Sequence, residues 1–153
     1  MEQPKKITKR RIAETQLIRA VLLLEDCADY ISALTLAGAA EEILGKMVQK
    51  KGGSTAFEDW AVYTRSFWDY AAKRANEENY PLNIPDDKEV KRRLNATRNE
   101  LKHNDPGKNV RVHAMFQYEA EEMLLRACKN YLKLYNRLPR NKRLVDWWEN
   151  ITL

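Results

Sequence analysis

From Arg98 to His103 the chain reads Arg-Asn-Glu-Leu-Lys-His, and these residue types can do chemistry on a phosphodiester. An imidazole titrates near neutrality and moves protons. A guanidinium presents a planar fork that matches phosphate oxygens, an ammonium adds a point charge, and a carboxamide orients either one. Arg98, Lys102, His103 and Asn99 are therefore the parts needed to break a phosphodiester without a metal. His113, the second histidine, has no comparable neighbours and reads as structural or exposed.

The element that must position these groups is a helix over about 86–103, opened by the cap signature Asp86 to Glu89. At about 100° per residue, Val90, Leu94, Thr97 and Leu101 fall within roughly 60° of arc and form a core face. Arg98, Lys102, Asn95, Asn99 and His103 occupy a separate arc of roughly 140°. One reading is a solvated polar face with a lone exposed histidine. The other is the lining of a cleft in which Arg98 grips phosphate bidentately, Lys102 adds charge and His103 handles a proton. Arg98 and His103 stand about 140° apart on this helix, so one chain spans a site and a facing second copy would make it converge.

The remaining sequence predicts an all-α protein. With 153 residues the chain fits one domain, 1–153, comprising a bundle core at about 7–138 and an extension at 139–153. Five glycines and five prolines are too few for many short strands and turns, and no segment alternates for long. A net charge of +5 permits a polyanionic partner without requiring one. The longest apolar stretches, Ala20–Leu24 and Ile31–Ala40, are too short for a bilayer. No secretory pattern follows the basic start, so a cytoplasmic protein with no membrane partner is expected. Cys27 and Cys128 sit among apolar residues and read as buried thiols of a reducing compartment. No cysteine or histidine pair has zinc-ligand spacing and no glycine-rich phosphate loop is present, so neither metal nor cofactor is expected.

Helical periodicity sets out the order of elements. The first helix spans about 7–25, with Ile12, Leu17, Val21 and Leu24 inward. The second spans about 27–50, carries the small-residue run Leu36-Ala37-Gly38-Ala39-Ala40, and stops at Gly52-Gly53. The third opens at Ser54-Thr55 with a capping box to Glu58. Its stripe Phe57, Trp60, Ala61, Thr64, Phe67, Trp68, Ala71 and Ala75 has the spacing of one buried face. Tyr80 to Pro85 is a loop, the fourth helix carries the motif, and Asn104 to Gly107 is a turn. A fifth helix over about 110–138 turns Ala120, Leu124, Ala127, Tyr131 and Leu134 inward. The apolar extension, with Leu144, Val145, Trp147, Trp148 and Ile151, docks as a short helix or meets a partner. The basic clusters Lys5–Arg11 and Arg137–Arg143 read as RNA-attracting flanks or as solvated helix ends.

Arg98-Asn99-x-x-Lys102-His103 resembles the R-x(4–6)-H motif of the HEPN family, including the polar residue that often follows the arginine. The second helix, Leu36 to Gly45, is similar to the second helix of HEPN domains, and the resemblance covers about 7–138. It implies an up-and-down bundle of about five helices that forms a homodimer, many members being metal-independent endoribonucleases or toxins. Their motifs meet across the dimer in a composite site. Carried over, Arg98 is the phosphate-binding cation, His103 the proton-transfer residue and Asn99 the orienting group. Lys102 and Asn95 would support RNA binding. A second-helix glutamate sometimes joins such sites, and Glu41 or Glu42 would fill that place. The alternative is a non-catalytic HEPN module that binds nucleotide, RNA or a partner protein. One toxin subgroup has a tyrosine, modified by its antitoxin, two residues past the histidine. Asp105 stands there, so any antitoxin would act otherwise.

Overall fold

The computed structural model describes residues 5–80, 82–103 and 111–153. Among these residues the chain is all-α, with seven helices and no strand. The helices are α1 (Lys9–Glu25), α2 (Tyr30–Lys50), α3 (Ala56–Glu77), α4 (Asp87–Leu94), α5 (Ala96–Lys102), α6 (Phe116–Tyr135) and α7 (Lys142–Thr152). They fall into two compact units, one formed by Met1–Thr55 with His113–Leu153 and the other by Ala56–Val112.

The first unit contains α1, α2, α6 and α7. Thr8 caps α1 by accepting from the Arg11 amide at 3.1 Å. Beyond α1, Ala28 adopts a left-handed φ of 51°, and Asp29 caps α2 by accepting from the Ser32 amide at 3.1 Å. This turn delays α2 from the expected Cys27 to Tyr30. It also leaves Cys27 exposed, which corrects the expectation of two buried thiols. Cys128 is fully buried on α6, and burial pushes its thiol pKa up. Ala33, Leu34, Ala37, Gly38, Ala40 and Leu44 of α2 are buried, and α2 packs most extensively on α6 and α1. The small residues let these axes approach closely. Gly52, at φ 76°, ends the helix, and the Gly53 amide donates back to the Val48 carbonyl at 3.1 Å.

Gly45 faces α6, where an added Cβ would lie 3.5 Å from Asn130 Nδ2 and 3.6 Å from Thr55 Cγ2, both ordinary contacts. Gly45→Ala should therefore raise stability by about 0.4–1 kcal/mol, chiefly by restricting the unfolded chain. Urea unfolding checks this, and a lowered midpoint would contradict the packing described.

α6 is shorter than the expected 110–138. Val110 lies outside the described residues, and 111–115 are not helical. Its C-terminal end comes early because Asn136 turns left-handed (φ 52°, ψ 24°) while its amide bonds the Leu132 carbonyl at 2.8 Å. Ala120, Leu124, Ala127 and Tyr131 are buried as expected, and Leu134 is half-buried. The apolar extension docks as α7, capped by Asn141 on the Leu144 amide at 3.0 Å, with Leu144 and Trp147 buried.

The second unit contains α3, α4 and α5, with α4 packed on α3. Here the expected core face of α3 is only partly covered, and Phe67 departs from it. Ala61 is buried, Phe57, Trp60 and Trp68 are half-buried, and Phe67 is 58% exposed. Tyr63 and Tyr70, one turn either side of Phe67, are 73% and 64% exposed. A 22-residue helix against the eight residues of α4 has more apolar surface than its neighbour covers. α3 ends in a turn with Asn79 at φ 60° and the Tyr80 amide on the Ala75 carbonyl at 2.8 Å. Within the expected loop, Pro81 lies outside the described residues, as does the turn at Asn104–Gly107.

Candidate functional site

The helix expected over 86–103 is two helices. Asp86 does cap α4, accepting from the Glu89 amide at 2.7 Å. The ladder then breaks at Asn95 (φ −116°, ψ 6°), whose amide reaches the Arg92 carbonyl at 3.3 Å. Asparagine competes poorly as a helix residue, and Lys91, Arg92 and Arg93 in the last turn of α4 complement the negative end of its dipole. α5 restarts with the Asn99 amide on the Asn95 carbonyl at 3.0 Å. The angular map drawn on one continuous helix is thus replaced by two shorter ones.

Arg98 and Lys102 remain four residues apart on one face of α5, with Asn99 beside them. Arg98 is half-buried, while Asn99 and Lys102 are exposed. His103 is not on the helix: it is the C-cap, in extended conformation (φ −124°, ψ 130°). Its amide donates to the Asn99 carbonyl at 3.0 Å, closing the last turn. The 140° separation from Arg98 therefore does not hold, because the chain leaves the helical path at His103. The imidazole is exposed and makes no hydrogen bond or ion pair among the described residues. Asn95 is half-buried at the break between α4 and α5. Val90 and Thr97 are buried as the core face requires, with Leu94 and Leu101 half-buried.

Upstream cations are already engaged. Glu89 accepts from Arg92 Nε at 2.6 Å and from Arg93 Nε at 2.7 Å, and these bonds, Arg92's first, hold its carboxyl down at about 2. Because the folded value lies below the ordinary 4.5, Glu89 favours the fold above that pH. The contribution fades as pH falls from about 4.5 through about 2. A carboxyl-carbon NMR titration should find Glu89 titrating well below the ordinary 4.5. A midpoint near 4.5 would mean that the two arginines do not hold it. In the same unit a cleft of about 220 Å³ is lined by Glu58, Arg65, Asp87 and Lys91, and none of the motif residues takes part.

Glu41 and Glu42 belong to α2 of the first unit. Glu42 forms an ion pair with Lys46 at 3.0 Å, as paired glutamates on a helix often do. Glu41 is 8% exposed and so lies buried on α2. The spacing Leu34, Ala37, Glu41, Leu44, Val48 already places it in the buried stripe. Buried polar groups missed in the sequence are Arg126 and Asn130, which continue the inward series of α6 beside Met123 and Ala127. The Arg126 Nη2 group meets Met123 Sδ at 3.0 Å. Among the described residues, no three histidine, cysteine or carboxylate side chains gather as metal ligands, and no helix is long and apolar enough to cross a membrane.

Compared with protein-family models, with curated proteins and with solved structures, the chain has no significant match.

Proposed function

We propose that this all-α protein is a HEPN-type, metal-independent endoribonuclease, completed by a second copy of itself. The observation that carries the reading is the placement of His103. It is exposed in extended backbone at the end of α5, directly after the face that carries Arg98, Asn99 and Lys102. His103 acts as general base on a ribose 2′-hydroxyl, whose oxygen then attacks the adjacent phosphorus. Arg98, with Lys102, stabilises the charge that grows on the phosphoryl oxygens, and Asn99 orients the reacting groups. The leaving 5′-oxygen takes a proton, giving a 2′,3′-cyclic phosphate and a free 5′-hydroxyl. The exposed aromatic stripe Tyr63, Phe67 and Tyr70 is the surface offered to the second copy. A neutralising protein partner would act by covering the site.

A second reading, a non-catalytic module that binds RNA, nucleotide or a partner protein, draws support from one observation. Among the described residues nothing hydrogen-bonds the His103 imidazole, and a general base works best when its ring is oriented. Incubating the purified protein with RNA in chelator, beside His103→Ala and Arg98→Ala, separates the two. Cleavage by the wild type that disappears in both variants supports the enzyme. Binding without cleavage, or cleavage unchanged in the variants, contradicts it.

A further inference from the structure

The two basic clusters that flank the sequence meet in the first unit. A cleft of about 350 Å³ is lined by Arg10, Arg11 and Glu14 of α1, Tyr131 of α6, and Arg137 and Arg140 of the α6–α7 connection, with Ile18 and Pro139 as apolar walls. Four guanidiniums thus face one carboxylate. Other cations of α7 are paired, Lys142 with Asp146 at 2.6 Å and Arg143 with Asp26. Arg137 and Arg140 make no ion pair or side-chain hydrogen bond among the described residues.

The cleft is built rather than incidental. Arg10 Nε bonds Glu14 Oε1 at 2.8 Å, its Nη2 donates to the Tyr131 hydroxyl at 3.1 Å, and its guanidinium lies 4.2 Å from the centroid of the Tyr135 ring. The Tyr131 hydroxyl in turn donates to Glu14 Oε1 at 2.5 Å, and the Tyr131 side chain is fully buried. Glu14 therefore fixes Arg10 in place. On the opposite wall the backbone is set by left-handed Asn136, by buried Pro139, and by the Asn141 amide on the Pro139 carbonyl at 2.8 Å. Arg10 and Arg11 also occupy the first turn of α1, which has no acidic residue, so the positive end of the helix dipole adds to their charge. Such a placement disfavours the empty cleft and favours an anion in it.

We propose that this cleft binds the dianionic phosphomonoester of a nucleotide-sized ligand. Guanidinium forks suit the three oxygens of a terminal phosphate, and a monoester carries more charge to match them than a diester linkage does. The volume and the Ile18 and Pro139 walls suit the attached sugar or base. The phosphate is that of a free mononucleotide or of an RNA 5′ end, and it is recognised independently of the Arg98–His103 site.

Calorimetric titration of the full chain with AMP tests this, with adenosine as control and with one RNA oligonucleotide in 5′-phosphorylated and 5′-hydroxyl forms as competitors. AMP should bind and adenosine should not. Arg137→Gln with Arg140→Gln should weaken AMP by about tenfold or more without changing thermal unfolding, since neither side chain has a hydrogen-bond or ion-pair partner among the described residues. Arg140→Gln alone should give a smaller loss in the same direction. Competition by the 5′-phosphorylated oligonucleotide alone assigns the ligand to an RNA end; failure of both oligonucleotides assigns it to a free nucleotide. Absence of AMP binding, equal affinity in the double variant, or equal competition by the 5′-hydroxyl oligonucleotide would overturn the proposal. His103→Ala should bind AMP as the wild type does, whatever becomes of RNA cleavage. Loss of AMP binding in that variant would put the ligand elsewhere and overturn the assignment.

Discussion

His103→Ala should lower RNA cleavage by roughly 10²–10⁴-fold, the usual worth of a positioned general base. Arg98→Ala should cost about 10²–10³-fold, as expected for one charge-stabilising donor. The loss in His103→Ala should not come from unfolding, and thermal unfolding checks the variant of the half-buried Arg98. His103 is exposed and its backbone amide, which closes α5 on the Asn99 carbonyl, is kept in the variant. Asn99→Ala should cost less, because it orients without carrying charge. If the site is shared by two copies, a mixture of the Arg98→Ala and His103→Ala proteins should recover part of the activity. Mixed dimers would then bring an intact arginine and an intact histidine to one composite site. No recovery on mixing, with dimer exchange demonstrated, would show that each chain acts alone.

Tyr131→Ala should be the most damaging of the packing changes, lowering stability by about 3–5 kcal/mol. Tyr131 heads the fully buried side chains by volume, so truncation leaves a cavity in the first unit. The same change removes the hydroxyl that donates to Glu14 and accepts from Arg10. Tyr131→Phe separates the two effects, because it keeps the ring and should cost only about 0.5–1.5 kcal/mol. It should also change the acid response. Burial pushes the Glu14 carboxyl up, but the hydrogen bonds from Tyr131 and Arg10 outweigh it and hold the group below its ordinary value. Glu14 therefore favours the fold above the ordinary carboxyl range and loses that contribution as pH falls. Without the Tyr131 hydroxyl, Glu14 is held down less, so the stability lost between neutral and acidic pH should be smaller than in the wild type. Urea unfolding at neutral and acidic pH measures both quantities, and equal losses for the Ala and Phe variants would contradict the packing role.

The long helices were legible in the sequence because one strong period decides them. Leu17, Val21 and Leu24 of α1, and Ala120, Leu124, Ala127 and Tyr131 of α6, are buried where the spacing puts them. Periodicity does not report a local break. Asn95 interrupts a pattern whose apolar positions continue in phase on both sides, so Val90 and Thr97 are buried although the helix is not continuous. Nor does it report whether a partner exists for an apolar face. Phe67 has core spacing, yet it is exposed where the short α4 is the neighbour. Cys27 is exposed because Ala28 turns left-handed, a conformation that an alanine does not advertise. Of the candidate site, the grouping of Arg98, Asn99 and Lys102 follows from spacing alone, whereas the release of His103 into extended backbone depends on where α5 stops. The joining of the two basic clusters in one cleft is a tertiary event with no local signal.

Under the proposed function, RNA is cut through its own 2′-hydroxyl by the group around His103. The direct measurement is cleavage, in chelator, of one oligonucleotide in an all-ribose form and in a form with deoxyribose at the cut nucleotide. The ribose form should be cleaved to a 2′,3′-cyclic phosphate and a 5′-hydroxyl, and the deoxyribose form should stay intact at that position. Equal cleavage of both, or of neither, would rule out 2′-hydroxyl attack at this site.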